Sequence, residues 1–116
     1  MVVVLVVEDD PDFRGLMVQI LHGWGHDVVE AGNVAEAMAR VAERRPHTVV
    51  TDIGLPDGNG FELTQQLLAL PGDMRVIVIS SDSSAGNRNA ALRAGAIGFL
   101  AKNELFSVGM QRLIDA

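Results

Sequence analysis

The sequence predicts an α/β fold, a single doubly wound parallel sheet of five strands with helices on both faces. Three observations carry this. Short apolar, β-branched runs alternate five times with stretches of helical spacing along 116 residues. The run Arg75-Val76-Ile77-Val78-Ile79-Ser80 is apolar nearly throughout, as a strand buried on two faces should be. No fixed-period repeat, low-complexity tract or linker interrupts the alternation, which implies parallel strands joined by right-handed helical crossovers. The length suits one domain with a single core, so residues 1–116 are read as one unit.

The elements follow in order. Val2–Val7 reads as the first strand. Asp10-Pro11 starts a helix, with Asp10 as N-cap and Pro11 at the first helical position. Phe13, Leu16, Met17, Ile20, Leu21 and Trp24 then recur at the spacing of one helical face, and Gly23 and Gly25 stop it. The segment 26–31 is a second short strand. Asn33 caps the next helix, with Glu36 three residues on in a variant of the capping box. Its apolar stripe is Val34, Ala37, Met38, Val41 and Ala42, and Arg44-Arg45-Pro46 ends it, with cations at the negative end of the dipole. Thr48–Asp52 is the third strand, followed by a Gly-rich turn through Gly54, Pro56, Gly58 and Gly60. A helix over 61–70 is broken by Pro71-Gly72. The fourth strand is Arg75–Ser80. The helix over 84–94 is weak, because Gly86, Asn87 and Asn89 lower its propensity. A fifth strand over 96–101 and a last helix over 104–114, with Phe106, Met110 and Leu113 inward, complete the pattern.

Composition excludes several kinds of function. There are no cysteines, hence no disulfide, thiolate zinc site or cysteine nucleophile. The apolar start, Met1 to Val7, lacks a basic flank and runs into Glu8-Asp9-Asp10, too short for a signal peptide or membrane span. A cytoplasmic protein without membrane contact is the expectation. The net charge of -6 disfavours direct binding of nucleic acid. Eight of the nine basic residues are Arg, and the single Lys is Lys102.

In a parallel sheet every carboxyl end lies on one edge, where ligands bind in open α/β folds. This sequence brings Glu8, Asp9 and Asp10 there from the first strand, Asp52 from the third, Ser80 and Ser81 from the fourth with Asp82 close behind, and Lys102 from the fifth. Taken singly, each has an ordinary reading: a cap, a solvated carboxylate, a turn serine, a surface lysine. Taken together they require an electrostatic solution. Two carboxylates ~5 Å apart repel by roughly 3 kcal/mol at an effective dielectric of ~20, unless one protonates or a cation sits between them. The ligand atoms on offer are oxygens, which suits a hard cation, Mg2+ or Mn2+, better than zinc. A carboxylate, a hydroxyl, an ammonium and Mg2+ are the equipment of phosphoryl transfer.

These residues resemble a known family. Val6-Val7-Glu8-Asp9-Asp10, Asp52 with Leu55-Pro56-Asp57-Gly58 and Gly60, Val78-Ile79-Ser80-Ser81, and Ala94-Gly95-Ala96-Ile97-Gly98-Phe99-Leu100-Ala101-Lys102 are similar, as an ordered set, to the receiver domain of two-component response regulators. The resemblance implies a flavodoxin-like sheet of order 2-1-3-4-5. It implies a phosphoacceptor switch in which Asp52 takes a phosphoryl group from a sensor histidine kinase or phosphotransfer protein. Asp9, Glu8 (directly or through water), Asp52 and the Gly54 carbonyl would hold Mg2+. Ser80 and Lys102 would contact the phosphoryl group. Ser80 and Phe99 would carry the change to the face of helix four, strand five and helix five, with a downstream protein or output domain as reader and a homodimer as one form. Enzymatic character would be limited to self-phosphorylation from phosphodonors and self-dephosphorylation. Two positions depart from the family's pattern. Asn103 stands where many receivers have a cis proline, and Gly54 offers no side chain beside the phosphoryl group, with Asp82 acidic nearby. The competing readings are a phosphorylation-independent interaction module of the same fold and an aspartate-nucleophile phosphatase, for which Asp10-Pro11-Asp12 is a loose match. The first strand lacks a Gly-rich phosphate turn, and no Gly-Lys-Ser/Thr loop occurs.

Overall fold

A computed structural model describes residues 2–105 and 107–115. The elements are β1 (Val3–Val7), α1 (Pro11–Gly23), β2 (Asp27–Ala31), α2 (Val34–Glu43), β3 (Thr48–Asp52), α3 (Gly60–Leu68), β4 (Arg75–Ser80), α4 (Ala85–Ala94), β5 (Gly98–Ala101) and α5 (Val108–Asp115). A two-stranded hairpin, Gly54–Leu55 against Gly58–Asn59, sits between β3 and α3 where the sequence reads only as a glycine-rich loop. The main sheet is parallel throughout, in the order β2-β1-β3-β4-β5.

Side chains alternate across each strand, so the two sheet faces fill from alternate residues. Val4 and Val6 point to one face with Val50, Ile77 and Ile79, and α1 and α5 cover it with Met17, Leu21, Met110 and Ile114. Leu5 and Val7 point to the other with Val49, Val76 and Val78, covered from α2, α3 and α4 by Ala37, Val41, Leu63, Leu67 and Ala91. Both faces of the central strands are thereby dry, and only their ends reach solvent.

The caps explain where most helices begin. Asp10 accepts from the Asp12 amide and Asn33 from the Glu36 amide. The capping box at α2 closes one residue early, since Glu36 accepts from the Gly32 amide. α3 starts at Gly60 because Asn59 accepts from the Glu62 amide, and α4 starts after Ser84, which accepts from the Asn87 amide. Gly95, with φ of 105°, ends α4 in the left-handed conformation that glycine adopts at least cost.

Three sequence expectations need correction. The last helix begins at Val108 and not at residue 104: Lys102–Glu104 form a single 3-10 turn, with the Glu104 side chain accepting from the Ala101 amide. Ser107, whose hydroxyl donates to the Glu104 carbonyl and accepts from the Met110 amide, marks the new start. Leu16 and Ala42, expected inward, face solvent at the edges of their helical stripes. β5 is shorter than expected because Ala96 still bonds back to Ala91 of α4. The expected inward Phe106 lies outside the described residues. Among the described residues no peptide bond is cis, so Lys102-Asn103 is trans and leads straight into the 3-10 turn.

Candidate metal and phosphoryl site

The register sets the site. Asp52 ends β3 opposite Ile79, and Ser80 ends β4 opposite Ala101, so Lys102 begins one step beyond the sheet edge. On the other side of β3, Val7 pairs with Thr51, and Glu8 follows directly. The Glu8 amide continues the ladder by donating to the Ala31 carbonyl, which holds Glu8 in strand geometry with its side chain buried.

Lys102 bridges the two acids. Its Nζ stands 2.7 Å from Glu8 Oε1 and donates to Asp52 Oδ2 at 3.0 Å. The other Asp52 oxygen, Oδ1, accepts from the Ile53 amide at 2.7 Å, so the carboxylate is fixed at both ends. Asp9 is exposed, and Glu8, Asp9 and Asp52 each offer an oxygen within 4.8 Å of the other two. Three carboxylates against one ammonium leave two negative charges. At that separation each like pair costs about 3 kcal/mol at an effective dielectric of ~20.

The residues fit a divalent cation. Glu8 Oε1 is buried, and the atom it faces is the Lys102 ammonium at 2.7 Å, which it shares with Asp52. A buried carboxylate that shares a single ammonium with a second carboxylate is still under-compensated and is a ready cation ligand. Oxygen donors and a deficit of two charges suit Mg2+ better than a soft metal.

Burial pushes the Glu8 carboxyl above its ordinary 4.5; the Lys102 ammonium and the Asp10 amide pull it down, and the Asp52 charge pushes it up again. In the window above 4.5 the folded chain therefore holds a proton that the unfolded chain releases, and stability falls as pH rises through it. For Lys102, burial opposes the charge, but the contacts with Glu8 and Asp52 outweigh it and raise its pKa above 10.5. That contribution to stability is complete below 10.5 and is lost as pH rises through the raised value.

Ser80 is buried at the neighbouring strand end. Its Oγ accepts from the Asp82 amide at 2.9 Å, which leaves its proton free to be donated. Asp82 in turn accepts from the Ser84 amide, ahead of α4. Phe99 is packed inward in the core face of α2, α3 and α4, with the Arg88 guanidinium of α4 over its ring at 5.4 Å. Gly54 is exposed in the hairpin, with open space where a Cβ would stand.

The roles of four residues around the site escape a sequence reading. Phe13, expected only as core, has its ring beside the Lys102 ammonium, 4.7 Å from nitrogen to ring centre. Arg14 donates to the Glu8 carbonyl at 2.6 Å and pairs with Glu30, bracing the acidic loop. Gly60 lies so close to β3 that a Cβ there would stand 2.2 Å from the Asp52 carbonyl oxygen. Asp57 reaches across to α2 and accepts from the Val34 and Ala35 amides at 2.7 and 3.0 Å.

Asp57 ties the hairpin below the site to a helix N-terminus 22 residues earlier. Those two amides hold its carboxyl below the ordinary 3.8. The stability it supplies is present above pH 3.8 and is lost as pH falls through the lowered value. Asp57→Ala is expected to lower the thermal midpoint at pH 7 and to flatten the pH dependence of stability just below 3.8, read by circular dichroism melts. A midpoint equal to wild type would show that the cap contributes nothing.

The comparisons agree with this geometry. The family model described as "Response regulator receiver domain" matches residues 4–114. Over 105 residues the chain is 44% identical to the DNA-binding transcriptional activator DevR/DosR of Mycobacterium tuberculosis, covering 89% of this chain and 48% of that protein. The chain thus spans about half the length of that curated relative. Among solved structures it is similar to the signal receiver domain of the putative response regulator NarL from Mycobacterium tuberculosis, at 27% identity and a TM-score of 0.86, covering 99% of this chain and 98% of that one. It is similar also to the BeF3-activated N-terminal receiver domain of Klebsiella pneumoniae RstA, at 28% identity and a TM-score of 0.87, covering 97% and 95%. The fold, the acidic pocket and these matches together make the chain a member of the response regulator receiver domain family.

Proposed function

We propose that Asp52 accepts a phosphoryl group from the phosphohistidine of a sensor kinase or phosphotransfer protein, and that residues 1–116 act as one switch domain. The observation that carries this reading is the Lys102 ammonium held between Glu8 and Asp52, with Asp9 beside them. In the reaction an Asp52 oxygen attacks phosphorus as the bond from phosphorus to the donor's imidazole nitrogen breaks. The electron pair leaves with the imidazole, and the product is an acyl phosphate. Lys102, already within hydrogen-bond reach of Asp52, follows the charge as it spreads over the phosphoryl oxygens. Ser80 donates its free proton to one of them. Glu8, Asp9, Asp52 and the Gly54 carbonyl would hold Mg2+, which neutralises the oxygens of the transferring group.

The readout rests on Ser80 and Phe99. Ser80 accepts from the Asp82 amide in the turn that leads to α4, so drawing Ser80 toward a phosphoryl group strains that turn. Phe99 already lies inward beneath Arg88 of α4. The face made by α4, β5 and α5 would then be offered to a downstream protein or output domain, in keeping with relatives named as transcriptional regulators. Slow hydrolysis at Asp52 resets the switch. Among the described residues no helix is long and apolar enough to cross a membrane.

The test is incubation with acetyl phosphate and Mg2+, followed by intact mass. A single phosphoryl adduct is expected in the wild type, absent in Asp52→Asn and absent when a chelator removes the metal. An undiminished adduct in Asp52→Asn would overturn the assignment.

A further inference from the structure

We propose that Phe13 is a positioning residue for Lys102, and that its aromatic face keeps the ammonium at the site when a divalent cation takes the carboxylates. The inference rests on the phosphoacceptor reading above. Among the described residues, the Lys102 ammonium meets Glu8 Oε1 at 2.7 Å, Asp52 Oδ2 at 3.0 Å, and the Phe13 ring, 4.7 Å to its centre. The first two belong to carboxylates that would hold the metal. A cation bound there repels the ammonium and withdraws the charges that hold it. The ring is different in kind. Its quadrupole attracts the ammonium, and it offers no oxygen to a hard metal. Of these three contacts it is therefore the one whose attraction a bound metal does not compete for.

The backbone supports the role. Asp10 caps α1 and Pro11 fixes its first turn, so Phe13 projects from a rigid start of the helix, packed against the core face of α1 and α5. The Lys102 side chain is only 23% exposed, so the contact is partly shielded from water. A leucine would fill much the same core volume but would offer no π face.

The chain contains a single lysine, so a Lys102 signal in an NMR spectrum needs no assignment. The methylene protons next to Nζ are measured with and without Mg2+ in the wild type, Phe13→Leu and Phe13→Tyr. With Mg2+ bound, the wild type and Phe13→Tyr are expected to keep an upfield ring-current shift, and Phe13→Leu to show the position of a free lysine. Uptake of the phosphoryl group from saturating acetyl phosphate is expected to slow about twofold to thirtyfold in Phe13→Leu, the span of cation–π strengths. Phe13→Tyr restores it, and Phe13→Leu adds no slowing in a Lys102→Met background.

A Lys102 signal that ignores Phe13→Leu in Mg2+, or a Phe13→Tyr as slow as Phe13→Leu, overturns the proposal. If Phe13→Leu does not fold, Phe13→Met, flexible and without a ring, takes its place. A wild type that takes up no phosphoryl group sinks the phosphoacceptor reading instead, and the NMR arm still decides the role of Phe13.

Discussion

Lys102→Met is expected to lower stability at pH 7 by about 3 kcal/mol in the absence of metal, the order of cost for leaving one member of a buried ion pair without its partner. Methionine keeps the apolar stem of the side chain and removes only the charge. Glu8, 1% exposed, then faces Asp52 and Asp9 with no cation among them. Two conditions should restore the loss. Mg2+ supplies the missing positive charge, and a lower pH lets Glu8, whose carboxyl is already pushed upward by burial, take a proton. Denaturant unfolding with and without Mg2+, at pH 7 and near pH 5, separates these effects. A deficit that is the same with Mg2+ as without would mean that the ammonium and the metal do not share the carboxylates. Phosphoryl uptake should fall sharply in this variant even where Mg2+ restores the fold, because a methionine cannot follow charge onto the phosphoryl oxygens.

Gly60→Ala should cost about as much for a different reason. Overpacking typically costs 1–3 kcal/mol, and about 3 kcal/mol is expected here because the atoms in the way are backbone. A Cβ at position 60 would stand 2.2 Å from the Asp52 oxygen, 3.1 Å from its carbonyl carbon and 3.2 Å from Ile53 Cα. None of these is the end of a flexible side chain. Gly60 also donates to the Ile53 carbonyl at 2.7 Å, so the start of α3 cannot back away without breaking that bond. Relief must come from shifting Asp52 itself. The variant should therefore lose stability and Mg2+ affinity together, measured by unfolding and by calorimetric titration. Gly54→Ala is the control for stability: nothing lies within 4 Å of its added Cβ, and a change within about 0.5 kcal/mol is expected. If Gly60→Ala were as stable as wild type with unchanged metal affinity, the close packing of α3 on β3 would not be what holds Asp52.

The sequence reveals what depends on local pattern. β4 is legible because six residues in a row suit a strand dry on both faces, and they are one. Asp10 and Asn33 are legible because a cap bonds only two or three residues ahead. The acids and Lys102 are legible because strand ends in a parallel sheet must share an edge, and that topological fact replaces knowledge of distance. What stays hidden is what depends on partners far away in the chain. Asp57 has no role legible in its own stretch of sequence, since the amides it caps come from another loop. Phe13 reads as core by its spacing, because periodicity reports apolarity and says nothing of what lies over a ring. The start of α5 is misjudged for a subtler reason. Glu104 has good helix propensity, but its carboxylate is taken by the Ala101 amide and its carbonyl by Ser107, so the chain makes a 3-10 turn first.

Borohydride reduces an acyl phosphate on aspartate to homoserine, so treatment after acetyl phosphate and Mg2+ locates the modified carboxylate by peptide mass. The account predicts homoserine where Asp52 stood, at no other acid, and none when the metal is chelated. Homoserine in place of Asp9 or Glu8, or a reducible adduct that forms equally well without metal, would contradict it.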